Sequence, residues 1–118
     1  MTRRMIKAVS NPVVTVLGHC TGRRVGGGRP RPPSEFDARA VFEACAQHGV
    51  AVEISGRPDR RDPPHALLQL AIDLGCTFSI DSDAHAPGQL DWQFNGCVRA
   101  AQHDLDPARV INTWPVEE

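Results

Sequence analysis

The sequence predicts an α/β fold. Short apolar or β-branched runs alternate with amphipathic helical stretches, and glycine, proline or capping residues mark the joints between them. Residues with reactive side chains gather at one end of the runs only. Strands and helices alternating at this spacing make βαβ units, hence a parallel sheet with right-handed crossovers.

A first helix is expected from Thr2 to Ser10, burying Met5, Ile6 and Val9 and stopped by Asn11-Pro12. Val13 to Leu17 follows as a strand covered on both faces, ending at Gly18 with His19 at its exit. From Gly22 to Pro33 the chain reads GRRVGGGRPRPP, a basic surface loop. Ser34 reads as the N-cap of a helix whose apolar stripe is Ala38, Val41, Phe42 and Cys45, closed by Gly49. A second strand, Val50 to Ile54, leads into Ser55-Gly56-Arg57-Pro58 and the polar loop Asp59 to Asp62. Asp62-Pro63 fits a cap and a first helical position, with Leu67, Leu70, Ala71 and Leu74 inward and Gly75 as the stop. A third strand, Cys76 to Ile80, runs into DSDAH. Leu90, Phe94, Cys97, Val98 and Ala101 then mark the inward face of another helix, and Arg109 to Thr113 fits one more short strand.

The 118 residues suit one domain and fall short of the roughly 250 of a complete eight-unit barrel. With 41% hydrophobic and 23% charged residues the chain can build a core, which excludes a wholly disordered polypeptide. A net charge of −1 supplies no general field to attract nucleic acid, so any attraction for phosphate must be local. No apolar run approaches the ~18 residues of a membrane span, and MTRRMIKAVSNP lacks the apolar centre of a secretory signal, so a cytoplasmic location and no membrane contact are expected. Cys20, Cys45, Cys76 and Cys97 contain no CxxC pair and are expected to be reduced. Cys45, Cys76 and Cys97 read as small buried hydrophobes, whereas Cys20 follows a candidate ligand.

Functional groups of parallel α/β folds collect where strands end, because loops there vary on a rigid support. Those ends read GHCTGR, EISGRPDR and DSDAH. Asp83 and His85, two residues apart as the chain leaves a strand, project to the same side and can converge on one cation; the competing reading is a capping Asp beside a surface His. His19 stands at the equivalent exit of another strand. Imidazole with carboxylate suits zinc, manganese or iron. Arg23 offers a fork for phosphate oxygens, while Arg29 and Arg31 read as solvated loop. Arg57 and Arg60 either hold a phosphate or pair with Asp59 and Asp62. Glu53, inside a strand, must be paired or hydrogen-bonded and could orient a ligand. His48 and His103 fit helix C-termini, and His65 has no evident partner.

The segments LGHCTGR, FDARAVFEACAQHG, VEISGRPDRRDPP, FSIDSDAHAPGQLD and VINTWP, in this order, resemble the C-terminal half of polymerase-and-histidinol-phosphatase (PHP) domains, those of stand-alone phosphoesterases and of family X DNA polymerases above all. The resemblance implies part of a distorted seven-stranded (βα) barrel and a metal-dependent phosphoesterase that hydrolyses phosphate monoesters when the barrel is complete. It implies zinc or manganese, up to three ions in a complete site and one or none here. By motif, His19, Asp83 and His85 match metal ligands, Glu53 matches the glutamate of an EIN-like motif and supports the ligands, and Arg23 and Arg57 would hold the substrate phosphate. Cys20 stands where proline is common and Ser55 where asparagine is. The early HxH motif and the middle ligands have no counterpart before His19. The expected partners are a phosphorylated small molecule and, through an open sheet edge, a second copy or a complementary half of the barrel. The rival functions are a 3′ nuclease of DNA repair, with nucleic acid the less favoured partner, and an inactive metal-binding or interaction fragment.

Overall fold

The computed structural model describes residues 1–21 and 36–115. The whole predicted basic loop, with Arg23, Arg29 and Arg31, and Ser34 after it lie outside the described residues. The core is a parallel sheet of three strands in the order β1-β2-β3, with β1 at Val16–Leu17, β2 at Ala51–Ser55 and β3 at Phe78–Asp81. The sheet is open; a single parallel bridge from Phe78 to Val110 extends it beyond β3.

Helix α1, Thr2–Val9, packs on α2, Ala38–His48, and turns Val9 inward. The strand expected at Val13 to Leu17 shrinks to its last two residues, and these are only half-buried rather than covered on both faces. The cause is local: Asn11 accepts hydrogen bonds at its side chain from Val13 N–H and at its carbonyl from Val14 N–H, and the resulting turn leaves Val13 81% exposed. Helix α2 is capped by Asp37, whose Oδ1 accepts from Ala40 N–H at 3.1 Å, and not by Ser34. It ends at Gly49, which takes the left-handed conformation (φ 68°) that a helix terminus of this kind requires.

Every residue of β2 is buried, as the central strand of a parallel sheet must be. Helix α3, His65–Asp73, begins later than Asp62-Pro63: Pro64 precedes it, and Asp62 instead turns inward to Thr21. Helix α4, Gln93–Gln102, is rotated relative to expectation. It lays Gly96 and Ala100 on the sheet, and a Cβ at Gly96 would collide with the Ile80 side chain, while Phe94 (71%), Leu90 (63%), Val98, Cys97 and Ala101 face outward. The small residue wins the contact because it allows close approach. The tail makes one bridge at Val110 and then a short 3-10 turn, Ile111–Thr113; the Asn112 amide donates to Ile80 O and accepts from Ile80 N–H, closing that edge of β3 where a fourth strand was expected.

Candidate functional site

All three strands point the same way, so their C-terminal ends deliver His19, Ser55 to Arg57, and Asp81 to His85 to one edge of the sheet. The backbone there departs from ordinary geometry: His19 (φ 45°) and Asp83 (φ 49°) both occupy the left-handed region. Such positions cost about 1–3 kcal/mol each and persist where surrounding structure enforces them, which is frequent at functional sites.

Glu53 is the organising carboxylate. Its Oε1 accepts from the His19 backbone N–H at 2.9 Å and lies 2.9 Å from His19 Nδ1. This contact assigns the ring proton to Nδ1 and leaves Nε2 with its lone pair outward, the carboxylate-histidine arrangement that prepares an imidazole for a metal. A Glu53 side chain that sequence alone suggested as an orienter therefore bonds to His19 directly.

Asp81 is the residue that the sequence reading passed over. Its side chain is hydrogen-bonded to Glu53, and burial, then that hydrogen bond, then the charges of Glu53 and Asp83 push its carboxyl up to about 7. Burial also raises Glu53, but hydrogen bonds from Asp81 and His19 outweigh it and hold Glu53 below the usual range. The two carboxyl groups thus share one proton, with Asp81 the acid and Glu53 the anion. A signal existed: Ser79, Asp81 and Asp83 alternate, and Glu53 pairs in register with Ser79 while Ser55 pairs with Asp81, so the carboxylates meet diagonally across two strands.

His85 Nδ1 lies 2.7 Å from the Asp83 carbonyl oxygen and 3.3 Å from Arg57 Nη1; the shorter contact, to an acceptor, assigns the proton to Nδ1 and leaves Nε2 the open nitrogen. Arg57 closes the group: Nε donates to Asp59 at 3.1 Å, Nη1 donates to the Asp83 carbonyl at 3.3 Å and sits 3.6 Å from its Oδ2, and the guanidinium lies over the Trp92 ring at 5.1 Å. Of the two readings for Arg57, the pairing with Asp59 is made, and a second one with Asp83 is added. Gly56 permits this loop to close, since a Cβ there would collide with the Trp92 carbonyl.

Asp62, 1% exposed, accepts from Thr21 Oγ1 at 2.8 Å and from the Cys20 thiol at 3.6 Å. Burial, reinforced by Asp62, pushes the Cys20 thiol up, so it is a protonated donor that ties the exit of β1 to the β2 loop. Cys45 and Cys76 are buried as expected, with burial raising their thiols to about 12 and about 11. Cys97 is exposed because α4 is rotated. His65 does have a partner: its Nδ1 lies 3.0 Å from His103 Nε2, the rings stack at 5.3 Å, and His103 Nδ1 reaches Gln69.

Donor chemistry at the edge suits a divalent cation, with two imidazoles whose Nε2 atoms carry no hydrogen bond among the described residues and the Asp83 carboxylate between them in chain order. Convergence is incomplete: among the described residues no group of three or more His, Cys, Asp or Glu side chains stands close enough to enclose a metal ion. His19, Asp83 and His85 share an edge without forming a closed coordination shell.

No family model matches the chain. Over 116 residues, 98% of its length, it is 29% identical to the DNA polymerase/3′-5′ exonuclease PolX of Bacillus subtilis, of which it covers 20%. Over 121 aligned positions, 97% of the chain, it is 29% identical to the probable phosphatase YcdX of Escherichia coli O81, covering 45% of that protein, and it is 28% identical to YcdX of Shigella dysenteriae. The chain therefore spans less than half the length of these relatives, and both kinds are PHP-domain proteins.

Proposed function

We propose that this distant homologue of PHP-domain proteins supplies one side of a metal-dependent phosphoesterase site that hydrolyses phosphate monoesters. The observation that carries the reading is the Glu53-supported His19 on the same sheet edge as Asp83 and His85. His19, Asp83 and His85 would hold zinc or manganese, with further donors completing the shell. Such a cation lowers the pKa of a bound water and draws charge from phosphate oxygens. Glu53 fixes the His19 tautomer, and Arg57, anchored by Asp59 and Asp83, is aimed to hold a phosphate oxygen, a role that Arg23 would share. The ligand class is a phosphorylated small molecule. The outward apolar stripe of α4 supports self-association or docking with further barrel elements.

The test is turnover of p-nitrophenyl phosphate by the chain with zinc or manganese, beside its His85→Ala variant. Metal-dependent turnover reduced at least about tenfold in the variant is the expected result. Turnover independent of metal, or undiminished by His85→Ala, would remove the assignment. Similarity to PolX gives a second reading its place: release of nucleotides from a single-stranded oligonucleotide, without action on p-nitrophenyl phosphate, would turn the assignment to a nuclease.

A further inference from the structure

Beside the candidate metal edge, between the β2-α3 loop and α4, lies a cleft of about 430 Å³. Arg57, Arg61 and Arg99 line it together with His65, Asn95 and Gln102, and among the described residues no carboxylate does. Three guanidinium groups around one cavity in a chain of net charge −1 mark a local concentration of positive charge. Its members are held in place by different means. Arg99, at the buried end, donates through Nη2 to the Pro63 carbonyl. Asn95 donates to Gly56 O at 3.1 Å, and His65 stacks on His103. Arg61 is exposed at the mouth and makes no ion pair among the described residues. The cavity volume exceeds what a bare oxyanion needs and falls within the range of small-molecule sites.

We infer that this cleft binds the phosphate group of a small phosphorylated compound, with Arg61 and Arg99 gripping the oxygens and Asn95 and Gln102 contacting the uncharged remainder. The cleft adjoins the candidate metal edge through Ser55, Gly56 and Arg57, and its lining includes none of His19, Asp83 and His85. It requires no metal and no hydrolysis, so it stands whether or not the phosphoesterase assignment does.

Calorimetric titration of the full chain, in chelator to keep metals away, with inorganic phosphate and separately with glucose 6-phosphate tests it. Saturable binding is expected, weakened about tenfold by Arg61→Gln, partly restored by Arg61→Lys, and unchanged by Lys7→Gln, which removes an exposed cation of α1 away from the cleft. Arg61 is exposed, so its variants should keep the wild-type circular dichroism. Tighter binding of glucose 6-phosphate identifies a phosphorylated metabolite as the ligand; equal binding identifies free phosphate. No saturable binding of either probe, or an equal loss in Lys7→Gln and Arg61→Gln, overturns the inference.

Discussion

A single proton shared between Glu53 and Asp81 sets the electrostatics of the sheet edge. Asp81 is raised to about 7, so the folded chain binds more protons than the unfolded chain between about pH 4 and pH 7. Its contribution to stability is fully present at low pH and is lost as pH rises through the folded value. Glu53 works in the opposite sense, since its depressed carboxyl adds stability that is lost as pH falls below the ordinary glutamate range. An Asp81→Asn chain keeps a donor for Glu53 but cannot ionise. Thermal melts in chelator should therefore show the variant more stable than wild type at pH 8, with the difference closing toward pH 5; the reverse order would place the shared proton elsewhere. The candidate ligands were legible residue by residue, because strand exits are marked by β-branched runs ending in polar residues. Asp81 was not, because its meaning depends on the register that sets it diagonal to Glu53, and pairing register is not written in either segment alone.

Among the elements, β2 and α2 follow their sequence signals closely, since a mostly apolar, β-branched run and a glycine stop leave few alternatives. Helix α4 does not. The most apolar stripe, Phe94 and Val98 on the helix with Leu90 in the 3-10 turn before it, promised burial, yet the face holding Gly96 and Ala100 meets Ile54 and Ile80 because only a residue without a side chain lets the backbone come that close. Hydrophobic periodicity reports which face is apolar; close packing decides which face fits. A Gly96→Val substitution should therefore be disruptive, costing about 1–3 kcal/mol in urea unfolding through overpacking against Ile80. A loss below 0.5 kcal/mol, ~the scatter of surface substitutions, would mean that α4 does not sit on the sheet in this way. The helix expected from Asp62-Pro63 starts later, and the strand expected from Val13 is shorter, for a related reason: a side chain found a better partner, Thr21 for Asp62 and the turn amides for Asn11, than the regular element offered.

As a whole, the molecule has a radius of gyration of 13.8 Å, close to the ~13.5 Å of a compact domain of this length, although its sheet is open and no barrel is closed. Among the described residues no helix is long and apolar enough to cross a membrane. Fold class and the polarity of the sheet were readable because both follow from alternation along the chain. Closure was not, because it depends on strand number, tilt and stagger taken together, which no local pattern records. The same incompleteness governs the site, where prepared donors share an edge without closing around an ion. The decisive measurement is metal content by elemental analysis after equilibrium dialysis against zinc or manganese, comparing wild type with His85→Ala and His19→Ala. One bound ion per wild-type chain, reduced by more than about half in each variant, is the predicted result. No retained metal in wild type, or equal retention in all three proteins, would contradict the claim that His19, Asp83 and His85 are ligands.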